Sequence, residues 1–299
     1  MKRSREKPAP SPTGGENRET VSVCIITYNE AGNIAACLDS VSWADEIIVV
    51  DSHSTDDTVQ IARRHTDRVI VRDWPGHVAQ KNFAAEQARC DWILALDADE
   101  RVSSRLGDDI QAVLRQADPT RIGFRFPRRN YYLGRWWRRG GWYPDLKLRF
   151  WRRGHGRWGG EDPHDHVVLE GPAGHLSSEL FHFPYRDISD HLRKLNSYSS
   201  IAARARLNHG GRFRYRDLIF RPPWRFLRMF VLKGGWREGV AGLILSANEA
   251  FYVFQKYSKM WEIQKLGAAR QRESSLPPGS FSGDSPSPPG TPDRPAGTT

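Results

Sequence analysis

Cysteine is scarce in this chain, and long apolar runs are missing from it. Only 3 of the 299 residues are cysteine, and Cys24, Cys37 and Cys90 show no paired spacing. This pattern argues against a disulfide framework and predicts a reduced, cytosolic protein. The longest uncharged apolar stretch, residues 239–248, is much shorter than the roughly 18 residues that would cross a bilayer. We therefore expect no membrane-spanning segment.

The two ends of the chain lack apolar periodicity. Four basic residues lie between positions 2 and 7, but no apolar run follows them, so the secretory pattern is not met and we expect no export. Composition predicts a disordered basic tail over residues 1–20 and a disordered tail rich in Pro, Ser and Gly over residues 270–299. A hydrophobic content of 38% is sufficient for a core between them.

Charge is divided unevenly along the chain, whose formal net charge is +10. Residues 21–120 hold 9 Lys and Arg against 17 Asp and Glu, whereas residues 121–269 hold 28 against 12. A basic second half joined to an acidic first half indicates a metal-dependent site that faces an anionic partner. Phosphorylated glycan, lipid headgroup and nucleic acid all have the required charge.

The apolar pattern of the first half alternates between strands and helices. Strands are predicted at residues 21–26, 46–50, 68–71 and 92–96, with helical spacing between them. This order is typical of an α/β fold with a parallel, doubly wound sheet, in which ligands bind at the carboxyl ends of the strands. Residues 21–120 are therefore interpreted as an α/β half whose strand ends could bind one nucleotide.

The second half of the chain follows a different pattern. Short strands are predicted at residues 122–126 and 146–151, and helical spacing returns from residue 188 and over residues 240–263. Residues 121–185 are therefore interpreted as α+β material that completes the sheet of the same domain. Residues 186–269 form a helical, basic and aromatic C-terminal region.

Carboxylates follow the fourth predicted strand, in the run Leu-Ala-Leu-Asp-Ala-Asp-Glu at 94–100. Oxygen ligands of this kind suit a hard cation such as Mg²⁺ or Mn²⁺, which neutralises substrate phosphates. An Asp-x-Asp pair alone is often a solvated surface turn. Here the parallel sheet would bring Asp97 and Asp99 to the same edge as two other polar loops, which contain Thr27, Asn29, Glu30 and Asp51.

Four stretches carry a family resemblance. They read Val-Ser-Val-Cys-Ile-Ile-Thr-Tyr-Asn-Glu, Trp-Ala-Asp-Glu-Ile-Ile-Val-Val-Asp-Ser, Trp-Pro-Gly-His-Val-Ala-Gln-Lys-Asn-Phe-Ala and Asp-Trp-Ile-Leu-Ala-Leu-Asp-Ala-Asp-Glu-Arg-Val. Together they resemble glycosyltransferase family 2, and more narrowly the bacterial enzymes that add a sugar to the lipopolysaccharide inner core. A looser similarity continues through Pro-His-Asp-His-Val and Leu-Phe-His-Phe-Pro-Tyr to about Lys265.

The resemblance implies a GT-A (Rossmann-like) nucleotide-diphospho-sugar transferase fold with a C-terminal helical extension. It also implies a nucleotide-sugar donor, Mg²⁺ or Mn²⁺, and inverting transfer to a hydroxyl. By this resemblance, residues 21–120 would be the nucleotide-sugar-binding half, and residues 121–185 would be the acceptor-binding and catalytic half of the same domain. On this basis the donor would be bound by Thr27, Tyr28, Asn29, Glu30, Asp51, Lys81 and Asp97. Metal ligation would involve Asp99, Asp97 and His182, although His182 is equally well read as a packed core residue. Lys81 would help to stabilise the departing diphosphate.

Inversion requires a carboxylate that takes the proton from the attacking hydroxyl. In similar enzymes it follows a His in a Val-His-Glu type of motif. The corresponding stretch here is Pro-His-Asp-His at 163–166, which makes Asp165 the first candidate base. Glu161 and Asp162 are close enough in sequence to be alternatives.

Arginine and aromatic residues are concentrated in residues 121–157, which contain eleven Arg, one Lys and ten aromatics against a single acid, Asp145. Such a mixture can bind a phosphorylated saccharide, because Arg pairs with phosphate and Trp covers the apolar face of a sugar. It can also bind single-stranded nucleic acid. The metal-binding features favour a glycan acceptor, and no nucleic acid is expected.

A second basic and aromatic segment covers residues 212–236. An amphipathic helix with these residues would rest on an anionic membrane surface. Packing against the protein core would explain the same apolar positions. Because a lipid-linked acceptor is met at a membrane, we expect peripheral attachment at the cytoplasmic face of the inner membrane.

The sequence therefore predicts an inverting, metal-dependent glycosyltransferase. By resemblance, it would move a hexose, with UDP-glucose as the expected donor, to a heptose-containing, phosphorylated lipopolysaccharide core or a similar cell-envelope glycan. A polyprenyl-phosphate glycosyltransferase is an alternative within the family. A nucleic-acid-binding protein that uses the Arg- and Trp-rich segment is an alternative from another class.

Overall fold

The structure is a computed structural model that describes residues 18–116, 120–160 and 165–274. Most of both predicted tails, residues 1–17 and 275–299, lies outside these ranges. Two parts of the predicted tails are described. Glu19 contacts the folded core through Arg152, whose Nη2 donates to Glu19 Oε2 at 2.9 Å, and the last helix continues to Ser274.

The sheet elements occupy the first two thirds of the chain. In chain order they are β1 (Val21–Thr27), β2 (Glu46–Asp51), β3 (Val69–Val71), β4 (Trp92–Asp97), β5 (Glu100–Val102), β6 (Gly123–Tyr132), β7 (Arg135–Trp136), β8 (Asp145–Arg152), β9 (Gly156–Gly159), β10 (His166–Leu169), β11 (Ala173–His175) and β12 (Leu180–His182). The helices are α1 (Ile34–Asp39), α2 (Thr58–Ala62), α3 (His77–Glu86), α4 (Ser104–Gln116), α5 (Ile188–Asn208), α6 (Tyr215–Leu227) and α7 (Gly239–Ser274).

One sheet of ten strands organises the described residues, in the order β3-β2-β1-β4-β8-β6-β12-β5, with β7 and β11 also paired to β6. Strands β1 to β4 pair parallel with one another, as the apolar pattern predicted. Strand β8 pairs antiparallel with β4 and joins the second half of the chain to the first. Strands β9 and β10 form a separate hairpin.

Side chains pack against both faces of the sheet at its central strand, β1. All seven of its residues are buried, which is typical of a central parallel strand. Val23 and Ile25 pack in a cluster that includes Leu38 of α1, Ile110 of α4 and other apolar side chains. Alternate positions of β1 face the opposite cluster, which includes side chains of α3 and of the β9–β10 hairpin. The core therefore fixes β1, β2 and β4 side by side.

The C-terminal third is helical. The Asp187 side chain caps α5 by accepting a hydrogen bond from the backbone N–H of Asp190 at 2.7 Å. Helix α6 contains Pro222 and Pro223 and is followed by a π-helical turn, Arg228–Leu232, and a 3₁₀ turn, Gly235–Glu238. Within the described ranges, no helix combines the length and the apolarity needed to cross a membrane.

Candidate active site

A cleft of about 1220 Å³ lies where β1, β2 and β4 end. Its first wall is formed by residues that follow these strands, namely Thr27, Tyr28, Glu30, Ser52, Asp97 and Asp99. The opposite wall comes from the second half of the chain, with Arg149 from β8, Asp165 beside β10, His182 from β12 and Tyr198 from α5. The sheet order, with β8 next to β4, brings the two halves together at this point.

The loop after β1 supplies three predicted donor-binding residues to the cleft, Thr27, Tyr28 and Glu30. The Tyr28 side chain is 55% exposed, and Trp74, which is 46% exposed, also lines the cleft. Exposed aromatic rings at the mouth of a polar cleft are suited to contact a nucleobase.

Asn29 and Asp51, by contrast, contact the chain itself. Asn29 has a φ of 53°, and its Oδ1 accepts a hydrogen bond from the backbone N–H of Thr55 at 2.7 Å. The fully buried Asp51 accepts a hydrogen bond from the backbone N–H of Ser54 at 2.8 Å. These contacts hold the loops after β1 and β2 against each other. A direct contact of Asn29 or Asp51 with the nucleoside stays a prediction.

Asp97 is held between two cations. Its carboxylate lies 3.0 Å from Lys81 Nζ and 2.8 Å from Arg149 Nη2. Burial alone would raise the pKa of Asp97, but the charges of Lys81 and Arg149 outweigh burial and hold this pKa well below its usual range. Asp97 is therefore ionised, and two protein cations already occupy its oxygens.

Asp99 faces His182 rather than a Lys or Arg. Asn130 Nδ2 donates to the carbonyl of Trp142 at 3.5 Å, so its Oδ1 is directed at His182 Nδ1, which lies 2.7 Å away. Because Oδ1 can only accept, His182 Nδ1 donates this hydrogen bond, and Nε2 is left directed toward Asp99. Nε2 lies 3.4 Å from Asp99 Oδ2. Burial acts to raise the pKa of Asp99, but His182 lowers it below the usual value.

The Asp99 and His182 pair fits a divalent cation. A carboxylate oxygen and an imidazole nitrogen that face each other share a proton, and a divalent metal ion can replace that proton. Carboxylate oxygen is a ligand that Mg²⁺ and Mn²⁺ both accept, whereas imidazole nitrogen is typical of transition metals, so the pair suits Mn²⁺ better than Mg²⁺. In the part of the chain that the structure describes, no group of three or more His, Cys, Asp or Glu could hold a metal by itself. A cation bound here would therefore take its other ligands from a substrate and from water.

The first candidate base, Asp165, also lines the cleft. Its Oδ2 accepts a hydrogen bond from Lys81 Nζ at 2.8 Å, and its side chain is 11% exposed. Lys81 thus joins Asp165 to Asp97, and its ammonium lies 4.5 Å from the centre of the Trp158 ring. The alternatives Glu161 and Asp162 lie outside the described residues.

Several cleft residues were not identified from the sequence. Arg149 is the most prominent, because it is buried at the centre of the site and contacts Asp97 and the fully buried Glu100. Trp158 and Tyr198 also line the cleft. The one available signal was period-two alternation of charge along β8, at Asp145, Lys147 and Arg149. Nothing local distinguishes Arg149 from the ten other arginines of residues 121–157.

Comparison with known proteins identifies the family. The family model described as glycosyl transferase family 2 matches residues 22–168. The lipopolysaccharide core biosynthesis glycosyltransferase LpsC of Rhizobium meliloti is 32% identical over 268 residues, which are 86% of this chain and 97% of LpsC. An uncharacterized glycosyltransferase of Rickettsia felis is 32% identical over 260 residues, covering 82% of this chain and 90% of the relative.

The chain therefore belongs to glycosyl transferase family 2 and is a glycosyltransferase. The predicted GT-A type of α/β fold with a helical C-terminal region is confirmed. A solved structure, glucosyl-3-phosphoglycerate synthase from Mycobacterium tuberculosis with Mn²⁺, UDP and glucosyl-3-phosphoglycerate, aligns with a TM-score of 0.33 and 25% identity. That alignment covers 37% of this chain and 44% of the solved chain, so the chain spans less than half of that enzyme's length.

Arg149→Met tests whether the buried charges depend on one another. Without Arg149, Glu100 and Asp97 lose a partner in the interior, and we expect the free energy of unfolding at pH 7 to fall by about 3 kcal/mol. Because Arg149 lowers the pKa of Asp97 in the folded state, its stabilising effect is present above the unfolded pKa of about 3.9 and is lost as the pH falls further. Urea unfolding in EDTA at pH 7 and pH 3 measures both effects.

The matched control is Arg157→Met, which removes an exposed arginine and should change the free energy of unfolding by no more than about 0.5 kcal/mol. Equal stabilities for the Arg149 and Arg157 variants at pH 7 would contradict the role assigned to the network.

Proposed function

We propose that the protein is an inverting, metal-dependent hexosyltransferase. In this proposal it moves glucose from UDP-glucose to a heptose-containing, phosphorylated lipopolysaccharide core or a similar anionic cell-envelope glycan. The observation that carries the proposal is the Asp99 and His182 pair, which faces the same cleft as the acid Asp165. The similarity to LpsC, named for lipopolysaccharide core biosynthesis, supports the acceptor class.

Donor binding is proposed to use the loop after β1 and the end of β4. The exposed rings of Tyr28 and Trp74 flank the uracil, while Thr27, Glu30 and Asp97 line the path of the ribose and the phosphates. Asp99 and His182 hold Mg²⁺ or Mn²⁺. When bound, the cation neutralises the diphosphate that leaves in the transition state.

Lys81 is proposed to respond to the donor. In the absence of substrate its ammonium contacts both Asp97 and Asp165. A diphosphate in the cleft offers Lys81 a more highly charged partner, so the ammonium can stabilise the departing group as its charge develops. Asp165 is then available to accept the proton of the acceptor hydroxyl, which attacks the sugar on the face opposite the leaving diphosphate.

Membrane attachment is proposed for the surface formed by α6, the two turns after it and the start of α7. Large apolar side chains are exposed there, with Phe220 68%, Trp224 55%, Leu232 63%, Trp236 53% and Val240 72% accessible. Arginines and lysines are interspersed with them, as at Arg228, Lys233 and Arg237. Apolar side chains among cations are suited to an anionic bilayer surface, so we propose that the enzyme works on a lipid-linked acceptor at the cytoplasmic face of the inner membrane.

Asp99→Asn tests the cation site. The amide keeps the size of the side chain but removes its charge, so we expect Mn²⁺-dependent binding of UDP-glucose to weaken by about 100-fold, the equivalent of roughly 3 kcal/mol. Calorimetric titration with and without Mn²⁺ measures the change, and Asp108→Asn, at an exposed position of α4, is the matched control. Undiminished Mn²⁺-dependent binding of UDP-glucose by the Asp99 variant would contradict the proposal that Asp99 is a ligand of the cation.

Asp165→Asn tests the base. We expect donor binding to persist while the turnover number falls by about 10² to 10⁴-fold, the usual contribution of a general base. Glu170→Gln, at an exposed acid just after β10, should retain turnover. Single-turnover transfer from radiolabelled UDP-glucose provides the measurement. Near-normal turnover in the Asp165 variant would transfer the role to Glu161 or Asp162.

Trp224→Ser tests the membrane surface. Burying one large apolar side chain in a bilayer contributes about 1.5–3 kcal/mol, so its loss should lower partitioning into phosphatidylglycerol vesicles by about tenfold or more. Added salt should weaken binding as well. Co-sedimentation measures both effects, with Val71→Ser, at a 40% exposed position of β3, as the control. Equal binding of the wild type to neutral and anionic vesicles would contradict the proposal.

A further inference from the structure

The eleven arginines of residues 121–157 divide into two groups. Carboxylates pair with Arg128, Arg129, Arg135, Arg149 and Arg152, and Arg153 donates to the backbone carbonyl of Cys90. Over the described ranges, no ion pair is formed by Arg121, Arg125, Arg138, Arg139 or Arg157. The second group therefore has no carboxylate partner among the described residues and is the better candidate to bind an external anion.

Two members of the second group share a pocket. A cavity of about 400 Å³ is lined by Arg121, Arg125, Leu146, Ala173, Gly174 and His175. No acidic side chain and no Phe, Tyr or Trp contributes to it. Arg125 and Leu146 also line the large cleft that contains Asp99 and Asp165. The small pocket is thus a side compartment of the candidate active site.

The backbone sets the relative positions of the three residues that carry these side chains. Strand β11 lies parallel to β6 and places His175 opposite Arg125. Hydrogen bonds close both ends of this pairing, from Ile122 N–H to the Pro172 carbonyl at 3.1 Å and from Leu176 N–H to the Arg125 carbonyl at 2.9 Å. The strand pairing therefore brings His175 next to Arg125 along the wall of the same pocket.

Gly174 allows this approach of β11 to β6. A Cβ at this position would lie 2.5 Å from Cε1 of Phe124 and 3.0 Å from Cδ of Arg121. Any larger residue would therefore displace either the core ring or the Arg121 side chain. The glycine is thus a condition for the pocket and for the position of one of its two arginines.

The geometry points to an oxyanion subsite, formed by Arg121, Arg125 and His175, that binds a phosphate group carried by the sugar acceptor. Arginine pairs with the oxygens of phosphate through two parallel N–H donors, and an imidazole can add a third hydrogen bond. The pocket offers no Phe, Tyr or Trp ring for stacking, so a nucleic-acid base is a poor occupant. This inference rests on the proposed function, because it takes the ligand from the acceptor of that reaction.

The direct test uses inorganic phosphate as the probe and the full chain saturated with UDP and Mg²⁺, so that the donor position is filled. We compare the wild type with Arg121→Gln/Arg125→Gln and with the control Arg63→Gln/Arg64→Gln, which removes two exposed arginines near α2. Loss of two charge-assisted hydrogen bonds should raise the Kd for phosphate by at least about tenfold. The control should change it by less than about twofold, as measured by ³¹P line broadening.

A second arm uses the transfer reaction with the acceptor glycan before and after phosphatase treatment. The Arg121 and Arg125 variant should raise the KM for the phosphorylated acceptor while the turnover number and the Kd for UDP-glucose stay unchanged. With the dephosphorylated acceptor, the Arg121 and Arg125 variant should have the same KM as the Arg63 and Arg64 control.

The experiments distinguish failure of the proposed function from failure of the oxyanion subsite. If UDP does not bind to the wild type, the proposed function is wrong, and the phosphate titration without UDP still decides the subsite. An equal Kd for phosphate in the two double variants overturns the subsite whether or not UDP binds. An equal rise in KM for both forms of the acceptor also overturns it.

Discussion

A buried network of opposite charges between β4 and β8 is the interaction on which the site depends. Arg149 contacts Asp97 and Glu100, and Lys81 contacts Asp97 and Asp165. The attraction within such a network is offset by the cost of removing the charges from water, so it contributes less to stability than its contacts suggest. Its main consequence is geometric, because it ties the parallel half of the sheet to the antiparallel half at the floor of the cleft.

The same network separates the role of Asp97, the last residue of β4, from that of Asp99, two residues beyond it. Asp97 is neutralised by protein cations, whereas Asp99 lies opposite the His182 imidazole. Asn130 accepts a hydrogen bond from His182 Nδ1 and so leaves Nε2 directed toward Asp99. One amide in β6 therefore orients the imidazole that faces Asp99.

The basic character of the second half of the chain has three separate structural uses. Some arginines pair with acids and connect segments, as Arg152 does with Glu19. Others, in the helical region, lie among exposed aromatic side chains such as Trp224 and Trp236. A few line the cleft and its side compartment. Net charge alone indicates an anionic partner but does not say which arginines are available to it.

The amino-acid sequence by itself determined the alternation of strands and helices over residues 21–97 and the acids at the end of β4, because apolar periodicity and local residue order are properties of short segments. Family motifs identified the fold class and the glycosyltransferase activity. The antiparallel insertion of β8 beside β4, the selection of Arg149 from eleven arginines and the neutralisation of Asp97 by Lys81 and Arg149 were decided only by the tertiary structure. Each of these depends on contacts between residues far apart in the chain, and no local pattern specifies which distant partner a charged side chain will meet.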